Sequence, residues 1–266
     1  MHPLLTIAVR AARRAGETIV RSLTRLESIE IHSKGRNDFV SEVDRAAERE
    51  IIEIIHKHYP DHAILAEESG RSGENETVWI IDPLDGTTNF LHGNPVFCVS
   101  IAVEQRGRLE VAIVYDPMRQ EIFTAERGGG AHLENRRMRV SKQRTLEGAL
   151  LATGYPYRND EREADSYFAT LRALSRVTAG IRRPGSAALD LAYVAAGRVD
   201  GFWELGLKPW DTAAGTLLIQ EAGGRVGKLN GDEYRLGANI VAGAPKVYEA
   251  LIETFAPLVP EDLRGV

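Results

Sequence analysis

Residues 79–90 read Trp-Ile-Ile-Asp-Pro-Leu-Asp-Gly-Thr-Thr-Asn-Phe, and they say more about the fold than any other stretch of the chain. The apolar run 78–81 predicts a buried strand that delivers Asp82 to the rim of a sheet, where α/β folds build their sites. Pro83 fixes its own φ and has no N–H, so we expect the chain to turn there. Asp82 and Asp85 would then converge at the edge of the sheet.

The chemistry of this turn favours a hard cation beside an anion. Asp82 and Asp85 offer carboxylate oxygens and Leu84 offers a carbonyl, which are the ligands that Mg²⁺ and Mn²⁺ prefer. Gly86 lets the backbone pass close to a bound group, and residues 87–89 are of types that open helices, whose N–H groups can face an anion. The alternative is that Asp-Pro-Leu-Asp-Gly forms only a turn, because these residue types are common in turns.

Two further acids, Glu67 and Asp211, lie at the ends of predicted elements, as Asp82 does. Glu67 follows a second short apolar run, 63–66, and Asp211 lies directly before a predicted helix. Taken singly, Glu67 is explained as a solvated loop acid and Asp211 as a helix N-cap. Three acidic positions of this kind in one chain favour a shared cation site.

The surrounding pattern is that of a mixed α/β protein. Apolar residues at helical spacing predict two N-terminal helices, the second of which is opened by Ser41. Five predicted strands then form an antiparallel meander: 97–103, 109–115, 121–125, 131–133 and 138–140. The second half alternates between strands at 150–153, 200–204 and 240–242 and helices at 162–175, 187–196, 212–222 and 246–255. No long linker separates the halves, so we expect one domain, 1–266, of two packed lobes, approximately 1–145 and 146–266.

Composition excludes several classes of protein. The 266 residues include 33 Lys and Arg against 38 Asp and Glu, and this net charge of −5 gives no global attraction to nucleic acid or to anionic lipid. A single cysteine, Cys98, excludes an internal disulfide. No uncharged apolar run approaches the roughly 20 residues that span a bilayer, and the N-terminus lacks the apolar core of a signal peptide. We therefore expect a cytoplasmic protein with no membrane partner.

Several longer stretches resemble the inositol monophosphatase family, and they look closest to its bacterial SuhB-type inositol-1-monophosphatases. The resemblance extends over nearly the whole chain. It is carried by residues 34–40, 67–69, 79–90, 115–119, 152–156, 185–190 and 210–215.

The resemblance implies a five-layered α-β-α-β-α sandwich of the inositol monophosphatase and fructose-1,6-bisphosphatase type. It also implies Mg²⁺-dependent, Li⁺-sensitive hydrolysis of a phosphate monoester by metal-activated water. The implied substrate is myo-inositol 1-phosphate, and the implied cofactor is two to three Mg²⁺ per site, with Mn²⁺ as a substitute. The lobe 1–145 would hold metal and phosphate, and the lobe 146–266 would complete the substrate site.

Carried over by position, the resemblance assigns a role to each candidate site residue. The metal ligands would be Glu67, Asp82, the Leu84 carbonyl, Asp85 and Asp211. The catalytic groups would be Thr87 paired with Asp44, which activate the attacking water, together with Glu67. The substrate would contact Leu84, Asp85, Gly86, Thr87, Gly185, Ser186, Ala187, Glu204 and Asp211. The loop that carries Lys34 and Asp38 would form a flap over the site.

Two of these roles compete with plainer interpretations. Asp44 follows Ser41 by three residues, which is the spacing of a helix capping box, and only the resemblance makes Asp44 a partner of Thr87. The loop with Lys34 and Asp38 could equally be a simple connection between elements.

Alternatives for the function also remain open at this point. The same metal core would serve a fructose-1,6-bisphosphatase or a nucleotide 3′-phosphatase, although Glu204 favours a polyol because hydroxyl groups donate to carboxylates. Bacterial proteins of this type are also associated with RNA polymerase in transcription antitermination, so catalysis could be secondary to binding. The family implies a homodimer. A local basic stretch is either a binding surface without direct nucleic-acid contact or a solvated strand edge: Arg127, Arg136, Arg137, Arg139, Lys142 and Arg144.

Overall fold

A computed structural model describes residues 2–35, 38–155 and 161–266, and in these residues two β-sheets alternate with helices. The helices are α1 (Pro3–Ser22), α2 (Glu42–His58), α3 (Thr87–Leu91), α4 (Glu161–Leu174), α5 (Ala187–Ala195), α6 (Pro209–Glu221), α7 (Pro245–Phe255) and α8 (Glu261–Arg264). A 3₁₀ helix, Leu23–Ser28, follows α1.

The larger sheet has eight strands and the smaller sheet has five. The larger sheet runs in the order β10-β9-β8-β7-β6-β5-β3-β4 and the smaller in the order β12-β11-β13-β15-β14. The larger consists of β3 (Ala63–Ala66), β4 (Gly70–Ser72), β5 (Thr77–Asp85), β6 (Cys98–Gln105), β7 (Arg108–Asp116), β8 (Glu121–Glu126), β9 (Gly130–Leu133) and β10 (Arg136–Arg137). The smaller consists of β11 (Leu150–Thr153), β12 (Gly180–Arg182), β13 (Gly201–Glu204), β14 (Arg225–Gly227) and β15 (Ile240–Gly243). A separate hairpin joins β1 (Ile31–Gly35) to β2 (Asp38–Ser41).

Alternation of apolar side chains along the strands builds five layers. In β5, Trp79 packs with α1 and α2 on one face of the large sheet, whereas Ile80 packs with α5 and α6 on the other. In β13, Phe202 faces the same α5–α6 layer, whereas Trp203 packs with α4 and α7 on the outer face. The order is therefore helix, sheet, helix, sheet, helix, and the α-β-α-β-α sandwich predicted from the sequence is confirmed.

The predicted turn at Pro83 is wrong. Strand β5 continues to Asp85, and its pairing with β6 shifts between Asp82, which lies opposite Ser100, and Asp85, which lies opposite Cys98. One extra residue on β5 makes a bulge, where the missing N–H of a proline costs no ladder hydrogen bond. The two carboxylates are thus presented by a bulged strand rather than by a loop.

Two other expectations need correction or fall outside the structure. Residues 138–140 do not form a strand; β10 takes their place at Arg136–Arg137, and the Met138 N–H donates to the Ala131 carbonyl at 2.9 Å. Of the predicted flap, Arg36, Asn37 and the side chains of Lys34 and Asp38 lie outside the described residues. Across the ranges that the structure covers, no helix combines the length and apolar character needed to cross a membrane.

Candidate active site

A cavity of about 580 Å³ lies between the ends of the two sheets, and its wall is strongly acidic. It gathers most of the residues to which the sequence assigned a role. Those that line it are Glu67, Asp82, Leu84, Asp85, Gly86, Thr87, Gly185, Ser186, Ala187, Glu204 and Asp211. Asp44 lies behind this wall and reaches it through Thr87.

Parallel pairing of β3 with β5 brings Glu67 to Asp82. Ala66 lies opposite Ile81, so the next residue of each strand is an acid at the same edge of the sheet. Asp82 is almost fully buried, and burial raises the pKa of its carboxyl group well above the usual range, with further increases from the negative charges of Glu67, Asp85 and Asp211. A cation bound among these groups would offset their mutual repulsion.

Asp85 is held by the start of α5. Its Oδ2 accepts hydrogen bonds from Ser186 Oγ and from the Ala188 N–H, both at 2.7 Å, and Cys98 Sγ lies 3.8 Å away. Burial raises the pKa of Asp85, whereas the hydrogen bonds from Ser186 and Ala188 oppose that increase. Ser186, expected to contact substrate, therefore orients a candidate metal ligand. Cys98 is buried as expected, and it too contacts this carboxylate.

Asp211 is not an N-cap. Helix α6 begins at Pro209, and the residue before the helix is Lys208, whose N–H donates to Asp211 Oδ2 at 2.7 Å. Proline suits the first position of a helix because no intrahelical acceptor awaits its missing N–H. Pro209 therefore indicated in the sequence that the helix begins at residue 209 and not at residue 212 as predicted.

Gly86 and Asn89 join the start of α3 to the loop that precedes α5. Gly86 has φ +98, and a Cβ there would lie 2.9 Å from the Val96 carbonyl oxygen and 3.3 Å from that of Gly185. The Asn89 Nδ2 donates to the carbonyls of Val96 at 2.7 Å and Pro184 at 2.9 Å. Residues from both halves of the chain are thereby fixed around one cavity.

Asp44 makes the capping contact and the contact with Thr87 at the same time. Its Oδ2 accepts hydrogen bonds from the Ser41 N–H at 2.8 Å and from Ser41 Oγ at 2.5 Å, which completes the capping box of α2. Its Oδ1 accepts a hydrogen bond from Thr87 Oγ1 at 2.8 Å. Burial raises the pKa of Asp44, and the hydrogen bonds from Ser41 and Thr87 oppose the increase. A carboxylate has enough lone pairs for both roles.

Asp190 also lines this cavity, although it was not predicted as a site residue from the sequence. It is 3% exposed and lines the wall near Glu204 and Asp85. Burial raises its pKa well above the usual range, and the charges of Glu204 and Asp85 add to the increase. The signal lay in the sequence, because Asp190 is the one acid in the otherwise apolar run 187–192.

The donor set fits a hard divalent cation. Among the residues that the structure describes, no three His, Cys, Asp or Glu side chains form a ready-made metal-binding group. Nevertheless, Glu67, Asp85 and Asp211 each raise the pKa of Asp82, so these four carboxyl groups share one electrostatic site. An all-oxygen set of this kind is suited to Mg²⁺, whose charge would offset the repulsion that keeps the carboxylates apart.

The sandwich fold is a phosphatase fold, since solved structures of inositol monophosphatases share it. Comparison with known sequences identifies the family. The chain belongs to the inositol monophosphatase family, whose sequence model matches residues 1–259.

Known relatives agree with this assignment. A protein from Pseudomonas aeruginosa named Nus factor SuhB is 55% identical over 270 residues, which cover 99% of this chain and 100% of the relative. The structure of the extragenic suppressor protein SuhB from Bartonella henselae has a TM-score of 0.92 at 43% identity, covering 96% of this chain and 99% of that one. An inositol monophosphatase from Anabaena (Nostoc) sp. has a TM-score of 0.85 at 39% identity, with 97% of each chain covered. The family resemblance read from the sequence is therefore confirmed.

Proposed function

We propose that the protein hydrolyses phosphate monoesters in a Mg²⁺-dependent reaction, with myo-inositol 1-phosphate as its substrate. The observation that carries the proposal is the meeting of four carboxyl groups with the Asp44–Thr87 hydrogen bond around one cavity, in a chain of this family. Within the single domain 1–266, we assign phosphate and metal binding chiefly to residues 1–145 and completion of the substrate site to residues 146–266.

The proposed metal ligands are Glu67, Asp82, the Leu84 carbonyl, Asp85 and Asp211. Two to three Mg²⁺ held there, or Mn²⁺ in their place, would neutralise the phosphate charge and lower the pKa of bound water. Li⁺ would inhibit by competing for the same oxygen ligands.

The protein's own groups position the reactants. Thr87 Oγ1 donates its proton to Asp44, so a lone pair of the hydroxyl oxygen can accept a hydrogen bond from the attacking water. Glu67, which lines the same cavity, would also orient that water. The backbone N–H groups of Gly86 and Thr87 would donate to the phosphate oxygens, in a turn that Asn89 fixes from both halves of the chain.

The alcohol part of the substrate would lie toward the smaller sheet. Glu204 ends a strand of that sheet and lines the cavity, as do Gly185, Ser186 and Ala187. A carboxylate only accepts hydrogen bonds, so Glu204 favours a group rich in hydroxyls. Fructose 1,6-bisphosphate and nucleotide 3′-phosphates are the competing substrates, because the acidic core would serve them equally.

Initial rates over inositol, glycerol, fructose and nucleotide phosphates with Mg²⁺, with and without Li⁺, test the proposal. The expected result is the highest kcat/KM for myo-inositol 1-phosphate, together with inhibition by Li⁺. A higher kcat/KM for one of the other phosphates would reassign the substrate, and no Mg²⁺-dependent hydrolysis of any of them would overturn the catalytic proposal.

A second candidate function is association with RNA polymerase in an antitermination complex in the cytoplasm, with the protein acting as a homodimer. It is favoured by the relatives named Nus factor SuhB. Of the basic stretch, Arg136 and Arg137 are exposed on the edge strand β10, whereas Arg127 is half-buried beside Glu110. An Asp85→Asn variant separates the two functions: loss of hydrolysis with an intact cellular phenotype would make binding the physiological role.

A further inference from the structure

Gly154 lies beside Glu204 at one edge of the smaller sheet. Glu204 is the acid that we propose to bind the hydroxyl groups of the substrate. Strands β11 and β13 run parallel with Thr153 opposite Trp203, so Gly154 and Glu204 are the next residues along the two chains. Thr153 Oγ1 donates to the Trp203 carbonyl at 2.8 Å, which ties the two strand ends together at that point. The relative position of Gly154 and Glu204 is thus fixed by the backbone.

The carboxyl group of Glu204 occupies the space that a side chain at residue 154 would fill. A Cβ built on Gly154 overlaps Oε1, Cδ and Oε2 of Glu204, and these are the three atoms nearest to it. Gly154 is buried and its φ lies outside the left-handed region, so neither solvent exposure nor backbone strain calls for glycine there. What requires glycine is the close approach of the carboxylate.

We propose that Gly154 is a positioning residue for substrate selectivity: its missing side chain seats the Glu204 carboxylate against the backbone, where it faces the alcohol part of the substrate. This inference rests on the proposed function, in which Glu204 accepts hydrogen bonds from hydroxyl groups. An alanine at residue 154 would first displace the flexible end of Glu204, whose carboxyl atoms are the three nearest to the added Cβ. Gly154→Ala would therefore weaken recognition of the polyol and leave the acidic core intact.

The test compares two substrates in Gly154→Ala. With myo-inositol 1-phosphate we expect KM to rise about tenfold, which corresponds to the loss of one charge-assisted hydrogen bond. The decrease in kcat should be smaller than tenfold. With phenyl phosphate, whose alcohol part has no further hydroxyl, we expect both constants to stay within about twofold of wild type. Equal effects on the two substrates, or none on either, would overturn the proposal.

A double-variant cycle separates positioning from a general structural role. In a Glu204→Ala background there is no carboxylate to displace, so adding Gly154→Ala should change KM by less than about twofold. Additive losses would overturn the proposal. Gly180→Ala is the matched control, because it lies on the adjacent strand β12 and its Cβ would meet only the flexible tip of Arg182 within 3.4 Å. Its activity should equal that of wild type.

A measurement that needs no substrate distinguishes failure of this inference from failure of the proposed function. Gly154→Ala should lower Tm in the wild-type background and leave it unchanged in Glu204→Ala, since the overlap exists only when the carboxylate is present. If wild type hydrolyses no inositol phosphate but this coupling appears, the proposed substrate is wrong and the positioning contact stands. If wild type is active and the coupling is absent, the positioning contact is wrong.

Discussion

Thr87 and Asp44 are joined by a 2.8 Å hydrogen bond between Oγ1 and Oδ1, although 43 residues separate them in the chain. The same Thr87 oxygen lies 3.1 Å from the Leu84 carbonyl, and its single proton can serve only one of the two acceptors. Asp44 takes it at the shorter distance. A hydroxyl oriented in this way can accept a hydrogen bond from water, so the pair is suited to positioning a nucleophile.

Replacing Asp44 by asparagine should therefore lower turnover strongly. An amide at residue 44 cannot take up a proton, and we expect kcat to fall about a hundredfold while Mg²⁺ affinity changes little. Initial rates at saturating substrate and a Mg²⁺ titration measure the two quantities. Turnover equal to wild type would leave helix capping as the only role of Asp44.

Ser41→Ala is the control for that capping role. It removes the hydroxyl that accepts a hydrogen bond from the Val43 N–H at 3.1 Å and donates one to Asp44 Oδ2, but it leaves Oδ1 and Thr87 in place. We expect the free energy of unfolding to fall by about 1 kcal/mol with most of the turnover retained. A loss of turnover as large as that of Asp44→Asn would show that the cap and the catalytic contact cannot be separated.

Sequence reasoning succeeded where the signal was local or long. The capping box of Ser41 and the strand Ala63–Ala66 each depend on neighbours in the chain, and each was predicted at its observed bounds. The apolar run 78–81 was also predicted as a strand, but β5 extends beyond it to Asp85. The bulge between Asp82 and Asp85 was missed because it arises from pairing with β6, which no pattern within residues 79–90 encodes.

Contacts between segments that are distant in the sequence could not be predicted for the same reason. Nothing near Gly154 in the sequence indicates that it lies beside Glu204, since the register of two parallel strands about 50 residues apart makes them neighbours. Asp190 carried a readable signal, an acid in an apolar run, but only the fold turns it toward the cavity. The roles of the acids themselves came from the family motifs and remain proposals.

The hydrogen bond from Ser186 to Asp85 gives a prediction about metal affinity. Ser186 makes no side-chain capping bond to α5, so Ser186→Ala removes its 2.7 Å bond to Asp85 Oδ2 together with a longer, 3.5 Å contact to Cys98 Sγ. Partners that orient metal ligands typically contribute tenfold or more to metal affinity, and we expect a roughly tenfold weaker Mg²⁺ activation constant with a nearly unchanged Tm. Ser166→Ala removes a buried hydroxyl that bonds the Arg162 carbonyl within α4 and does not line the cavity, so it should leave Mg²⁺ activation at the wild-type value. Equal activation constants for both variants would contradict the orienting role.

An ion pair between Glu121 on β8 and Arg198 after α5 predicts a pH-dependent contribution to stability. The hydrogen bond from Arg198 lowers the pKa of Glu121 below its usual value of 4.5, so this stabilisation is present above pH 4.5 and is lost as the pH falls through the lowered pKa. Because both side chains are partly exposed, Glu121→Gln should cost no more than about 1 kcal/mol of unfolding free energy at pH 7. Urea unfolding at pH 7 and at pH 3 measures the difference, which should shrink at the lower pH. A cost that stays the same at both values would assign the effect to packing.

Gly86 is a position where we predict a large effect of a single methyl group. Its φ of +98 is strained for any L side chain, and a Cβ there would also lie 2.9 Å from the Val96 carbonyl oxygen.

Gly107 provides the matched control, since it has φ +74 but no atom within 4 Å of a Cβ. Gly107→Ala should cost about 1 kcal/mol of unfolding free energy through backbone strain alone and leave activity intact. Gly86→Ala should cost more, because the Val96 and Gly185 carbonyls must move, and both of them accept hydrogen bonds from Asn89. Chemical unfolding and initial rates measure both variants, and equal costs with equal activity would mean that close approach at Gly86 is unimportant.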